Sequence, residues 1–171
     1  MQITTTRLTL RPLTMDCLEA THAYASDREA TRLMCFLPNE SIGETEAFIR
    51  DAEAEWAKER PSRYEFAILL DEVQLGGVTL FMLEDGSAEL GWILDRRHWG
   101  RGYATEAARA VMGWARDDLG IRRFIAQCDA ENDASRRVME RLGMRRISCT
   151  GGRKNRSSDE ERMELTYEVM L

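Results

Sequence analysis

Uncharged runs are scarce in this chain of 171 residues: the longest, Val73 to Leu83, has only eleven. A membrane-spanning helix needs about 20 apolar residues. The first twelve positions already contain Arg7, Arg11 and Pro12, so neither a bilayer span nor a secretory core is expected, and the default location is the cytoplasm. Histidine is limited to His22 and His98, and Cys17, Cys35, Cys128 and Cys149 lie far apart with no Cys-x-x-Cys pair. That spacing assembles no zinc set; no metal site is expected, and the cysteines read as reduced core or near-core thiols. Lysine is nearly missing: Lys58 and Lys154 leave Arg to supply 22 of the 24 basic residues, a bias of composition rather than of function. Acidic residues number 30, for a net charge of -6, which opposes a nucleic-acid partner and mildly favours a cationic one such as an amine.

What is present is an ordinary globular balance, 43% hydrophobic and 32% charged with both signs mixed, in the length of one domain, 1–171. Ile3 to Leu13 alternates loosely and reads as a first strand, followed by a short helix over Met15 to Ser26. Ser41-Ile-Gly-Glu44 has the form of a capping box, ahead of a helix through Ala47, Phe48, Ala52 and Trp56 that stops before Pro61. Tyr64 to Leu70, Val73 to Leu83 and Ser87 to Leu94 form an antiparallel meander, because Asp71-Glu72 and Asp85-Gly86 between them are tight-turn signals. From Ala104 to Leu119 apolar residues recur at helical spacing until Gly120. Arg123 to Cys128 is a short buried strand, so Ser87 to Cys128 makes a strand, helix, strand unit with a parallel pair. A second clear helix runs from Asn132 to Leu142 and ends at Gly143. Strands over Met144 to Cys149 and Met163 to Val169 follow, separated by a polar loop, Thr150 to Glu161.

The segment with the most chemical content is Trp99-Gly-Arg-Gly-Tyr-Ala104, between a strand end and a helix start. Such a bend aims several main-chain N–H groups at one point, where the helix dipole adds roughly half a positive charge. Gly100 and Gly102 let the backbone approach an anion, and Arg96, Arg97 and Arg101 stand ready to add charge. From glycine spacing alone, a plain tight turn with solvated arginines fits equally well. The segment is neither a Walker A loop nor the dinucleotide pattern Gly-x-Gly-x-x-Gly.

"ELGWILDRRHWGRGYATEA" (Glu89 to Ala107), "NDASRRVMERLGM" (Asn132 to Met144) and "TTTRLTLRPLT" (Thr4 to Thr14) resemble, in order, the GNAT superfamily of acetyl-CoA-dependent N-acetyltransferases. Within it they are similar to the RimJ/RimL-like branch, named for acetylation of ribosomal-protein N-termini. Thr150 to Glu161 has no match. The resemblance implies an α/β (α+β) fold: a mixed, mostly antiparallel twisted sheet of six to seven strands, about four helices, and a cleft between its parallel fourth and fifth strands. The superfamily pattern is Gln or Arg, two residues, Gly, one residue, Gly or Ala. Set on Gly102 and Ala104, it puts Trp99 where Gln or Arg is usual; a second frame, Arg97, Gly100, Gly102, satisfies the letters, but Tyr103-Ala104 opens the helix and favours the first. In that frame the resemblance implies that amides of Trp99, Gly100, Arg101, Gly102, Tyr103 and Ala104 hold the CoA pyrophosphate. It further implies that Ile93 and Leu94 offer backbone to the pantetheine arm, that Asn132 bonds the same arm, and that Ser135 lies near the departing sulfur as an acid. Many members carry Tyr seven residues after this Asn; here Met139 stands there and has no proton to give.

Acetyl transfer to an amine needs a neutral amine, a polarised carbonyl and a stable leaving thiolate. Glu89, sharing a strand face with Gly91 and Ile93, is the candidate base; its bland alternative is a solvent-facing sheet glutamate. Asn132 also fits a plain helix N-cap, Ser135 a first-turn helix residue, and Cys128 a small buried hydrophobe rather than a nucleophile. Arg153-Lys-Asn-Arg156, followed at once by acidic residues, reads as a solvated loop. Met34 to Pro38, apolar between the two early helices, borders the acceptor pocket by the same resemblance, and a core-capping loop explains it as well. The expected activity is therefore N-acetylation of a protein N-terminal α-amine or of a small polyamine- or aminoglycoside-like molecule. A catalytically idle acyl-CoA-binding module and a nucleotide-phosphate enzyme are the other classes, and self-association as a homodimer is left open.

Overall fold

The computed structural model describes all 171 residues. Its strands are β1 (Ile3–Thr4), β2 (Thr9–Pro12), β3 (Arg63–Leu70), β4 (Val73–Met82), β5 (Ala88–Leu94), β6 (Arg123–Asp129), β7 (Arg145–Lys154) and β8 (Glu161–Met170). The helices are α1 (Leu18–Ala25), α2 (Ile42–Trp56), α3 (Tyr103–Asp118) and α4 (Asp133–Arg141). All eight strands join one sheet in the order β1-β2-β3-β4-β5-β6-β8-β7, antiparallel throughout except for β5 beside β6. No helix is long and apolar enough to cross a membrane.

Turn chemistry and caps fall where the sequence puts them. Asp71 and Glu72 both take positive φ (48° and 65°), the conformation of a primed two-residue hairpin. Ser41 Oγ accepts the Glu44 N–H at 3.3 Å, while the Glu44 carboxylate reaches back to the Glu40 N–H. Glycines 120 and 143 end α3 and α4 with φ of 71° and 84°. Eight strands replace the expected six to seven, because Thr5 reverses the chain inside Ile3 to Leu13. The Thr5 N–H donates to the Leu8 carbonyl and its Oγ1 accepts the Leu8 N–H, both at 2.9 Å, splitting one strand into two. The loop expected over Thr150 to Glu161 is also corrected: β7 continues to Lys154 through a bulge between Thr150 and Arg153.

The sheet is covered on both faces. The stripe Tyr103, Ala107, Ala108, Val111 and Ala115 of α3 packs on Phe66, Val78, Leu90, Phe124 and their neighbours, and alanines allow that helix to lie close. On the opposite face Ile49 and Ala52 of α2 cover Leu13, Ala67 and Leu69. The feature that shapes the site is a split: β5 and β6, seven residues each, pair only at Ala88↔Phe124 and Glu89↔Ile125. Beyond Glu89, β5 stays with β4 and β6 stays with β8, so the sheet opens between them. The inner edge of β5 then carries main-chain polar groups with no neighbouring strand, a vacancy that an extended ligand can satisfy.

One buried acid lies apart from this opening. Glu65 on β3 is 5% exposed, accepts Thr79 Oγ1 at 2.6 Å and has Arg63 Nε at 3.3 Å. Burial pushes its carboxyl from 4.5 up to about 7 against both partners. A folded pKa above the unfolded one means that stability falls as pH rises from about 4.5 to about 7 and is flat beyond. Glu65→Gln keeps the shape without the charge. Urea unfolding is expected to find it more stable than wild type at pH 8, by about 3 kcal/mol at most, with the gap closing near pH 4.5. A gap equal at both pH values would mean that ionisation is not its source.

Candidate active site

Two helix N-termini converge on the open end of the split: α3 follows β5, and α4 follows β6 after a short turn. This is the position at which open α/β sheets bind ligands, beyond the carboxyl ends of parallel strands. The connection from β5 to α3 is built by Asp95, whose carboxylate accepts the Arg97 N–H at 2.9 Å, and by Trp99, whose indole N–H donates to the Leu94 carbonyl at 2.9 Å. Gly100 and Gly102 then adopt φ of 74° and 81°, left-handed values that side chains resist. The result is a run of main-chain donors without acceptors. From Gly100 to Thr105 no N–H finds a partner in the chain; the first to do so is that of Glu106, to the Gly102 carbonyl at 3.1 Å. Thr105 Oγ1 is also buried and unpartnered. Thr5, Arg7, Gly102, Thr105, Arg109 and Arg141 line an open concavity of about 530 Å³ beside this turn. Six donors, a helix dipole and three arginines make a site for an anion with several oxygens.

The arginines expected to serve the loop divide. Arg96 pairs with Asp27 at 2.7 Å and Arg97 with Asp95 at 2.6 Å, whereas Arg101 makes no ion pair. Sequence reasoning missed Arg7, which donates to the Arg101 carbonyl at 3.0 Å, lies 4.6 Å from the Tyr103 ring centre and pairs with Glu106 at 2.6 Å. Burial raises the Glu106 carboxyl, but bonds from Thr5 and Arg7 outweigh it and hold the group below its ordinary value. The β1–β2 turn is thereby locked to the first turn of α3. The only sequence signal for this lock was the presence of both residues in segments already singled out.

On β5, Glu89 lies at the last paired position before the split, half-buried, on the face opposite the core residues Ala88, Leu90 and Leu94. Burial raises its carboxyl, the neighbouring Glu164 raises it further, and Arg153 opposes both. The Ile93 carbonyl points at β4, 2.1 Å from where a Cβ on Gly76 would stand, while that of Leu94 is the one taken by Trp99. Strand alternation accordingly turns the main chain of Trp92 and Leu94, rather than Ile93, to the open edge. At the start of α4, Asn132 Oδ1 accepts the Ser135 N–H at 3.0 Å, an N-cap, and the Ser135 hydroxyl is free of bonds within the chain. Met139, one turn on, is completely buried in the core. Cys128 is buried as well, and desolvation pushes its thiol up to about 11, so it stays protonated.

A model described as an acetyltransferase (GNAT) domain matches residues 7–145. The chain belongs to the GNAT acetyltransferase family. It is 33% identical over 150 residues to the uncharacterized N-acetyltransferase YnaD of Bacillus subtilis, covering 85% of this chain and 84% of that one. Among solved structures it is similar to RimL, the ribosomal L7/L12 α-N-protein acetyltransferase in complex with coenzyme A. That likeness has a TM-score of 0.90 and 20% identity over 100% of this chain and 98% of the other. It is similar also to the spermidine N-acetyltransferase of Vibrio cholerae in complex with CoA and spermine, with a TM-score of 0.83 and 18% identity over 97% and 96% of the chains. The GNAT chemistry is acetyl transfer with acetyl-CoA as donor, and an unbonded run of amides at a helix N-terminus fits the donor's diphosphate.

Proposed function

We propose that this GNAT protein transfers an acetyl group from acetyl-CoA to the α-amine of a protein N-terminus, without a covalent enzyme intermediate. The observation that carries the reading is the row of six partnerless N–H groups, Gly100 to Thr105, in the turn that leads from β5, one strand of the split, into α3. In this reading the amides from Trp99 to Ala104, with Thr105, hold the diphosphate. The free edge of β5 and Asn132 hold the pantetheine arm, and the thioester comes to rest near Glu89 and Ser135.

The amine nitrogen attacks the thioester carbonyl carbon; a C–N bond forms, the C–S bond breaks, and the nitrogen's proton passes to Glu89. Bringing an α-amine of pKa about 8 to neutrality at pH 7 costs roughly 1 kcal/mol, against about 4.6 kcal/mol for a lysine-like amine. One carboxylate with a raised pKa suffices for the first. Charge near Glu89 favours the same acceptor. Glu164 is offset by Arg153, 2.7 Å away, so the Glu89–Glu164 pair does not present two free carboxylates to a polycation. A thiol of pKa about 8.5 departs almost unaided, so Ser135→Ala is expected to lower kcat by about tenfold or less. A loss of a thousandfold would make Ser135 indispensable.

The reading is tested by melting the protein with acetyl-CoA, with ATP and with GTP, then incubating it with acetyl-CoA and either serine- and alanine-initiated peptides or spermine. Acetyl-CoA alone is expected to raise the melting temperature, and the peptides to gain one acetyl group by mass. Acetylation of spermine alone would replace the protein acceptor by a polyamine, and binding without turnover of any amine would leave an acyl-CoA-binding module.

A further inference from the structure

Beyond residue 145, where the family match ends, β7 and β8 bring a buried arginine to the face of the sheet that carries Glu89. This overturns the solvated loop expected at Arg153 to Arg156. The Arg153 side chain is 8% exposed and each of the three nitrogens of its guanidinium donates a hydrogen bond. Nη1 donates to Glu164 at 2.7 Å, Nη2 to the Leu33 carbonyl at 3.1 Å and Nε to Asn155 Oδ1 at 3.0 Å. Asn155 donates in turn to Asp129 at 2.7 Å, whose other oxygen accepts the Glu131 N–H, fixing the turn into Asn132. One side chain thus joins the α1–α2 connection, β8 and, through Asn155, the approach to α4. The pairs Glu89↔Ile125 and Asp129↔Glu164 place Glu89 and Glu164 on a common face.

We propose that Arg153 is a positioning residue for the acetyl transfer, tying Leu33 to Glu164 so that the wall of the acceptor side is set, and supplying the cation that balances Glu164 beside the base. The inference deepens the reading of Glu89 as proton acceptor and rests on it. A planar fork with three acceptors suits the task better than an ammonium group. Glu164 from β8 and Arg153 from β7 act on Glu89, and Glu89 acts in turn on the Cys35 thiol of the α1–α2 connection; Asp129 of β6 and Glu168 of β8 share the face and are held by Arg162 and by Arg123 and Arg145, respectively.

The decisive measurement is the titration of the Glu89 carboxyl carbon by NMR, assigned with Glu89→Gln, and it needs no turnover. Arg153→Met removes the cation and is expected to move the Glu89 midpoint to higher pH. Glu164→Gln removes the anion and is expected to move it to lower pH, and Arg153→Lys, which keeps the charge, to bring it back towards wild type. Opposite shifts from two substitutions in one ion pair are not produced by loosened packing. Midpoints that stay in place, or that move in the same direction, would overturn the proposal; if Arg153→Met does not fold, the Glu164→Gln shift decides alone. A protein that acetylated no amine would sink the proposed function while leaving these titrations readable.

Discussion

Gly102→Asp is expected to weaken acetyl-CoA binding by about 100-fold or more, while Gly102→Asn weakens it by about tenfold or less. Both side chains add one Cβ at a residue with φ of 81° and ψ of 4°, and Asp and Asn tolerate that left-handed conformation better than other residues, at about 1 kcal/mol. Space is not the obstacle, since the nearest atom to a Cβ there is Arg7 Nη2 at 3.6 Å. Charge separates the two. A carboxylate at the first turn of α3 satisfies the same amides that an anionic ligand needs and repels that ligand as well. One unit charge opposing another at about 5 Å, at an effective dielectric constant of about 20, costs roughly 3 kcal/mol, hence the hundredfold. Calorimetric titration with acetyl-CoA reads both variants directly. Equal losses would assign the effect to backbone strain, and no loss from Gly102→Asp would remove the diphosphate from this turn.

That turn was legible because local physics writes it into neighbouring residues. Gly100, Gly102 and the apolar spacing from Ala104 to Leu119 lie within one short stretch, and each constrains the backbone independently of the rest of the fold. The parallel pairing of β5 and β6 followed from the helix between them, but the opening after two residue pairs did not, because no residue type encodes an absent neighbour. The locks around the site were invisible for a different reason. Arg7 reaches Glu106 across 99 positions and Arg153 reaches Leu33 across 120, and ion pairing has no period along a chain rich in both signs of charge. The loop expected over Thr150 to Glu161 hid the end of β7, because that strand is mostly exposed on both faces and carries Gly151-Gly152, which erases the alternation that marks a half-buried strand. Trp99 shows the reverse case. Its identity departs from the family pattern, yet its indole bond to Leu94 gives the loop an anchor within its own side chain.

Glu89→Gln is expected to lower kcat/KM for the amine by about 10²- to 10⁴-fold, the usual loss of a general base, with acetyl-CoA affinity unchanged. The pH profile carries the finer test. In the wild type two protons must be absent before attack, one from Glu89 and one from the amine. Because burial and Glu164 raise the Glu89 pKa, its limb lies above the ordinary carboxylate range, and activity falls as pH drops through that raised value. The amine limb lies near pH 8 for an α-amine. Below the Glu89 midpoint log kcat/KM therefore climbs with a slope near 2, and between the two midpoints with a slope near 1, since this ratio reports the free enzyme and the free substrate. In Glu89→Gln the lower limb disappears and a slope near 1 extends down to acid pH. A variant that kept both the rate and the double slope would move the base elsewhere. A variant that lost the rate but kept the double slope would make Glu89 a binder of the acceptor, with the second titration belonging to another group on the same face, such as Glu164, the carboxylate that acts on Glu89.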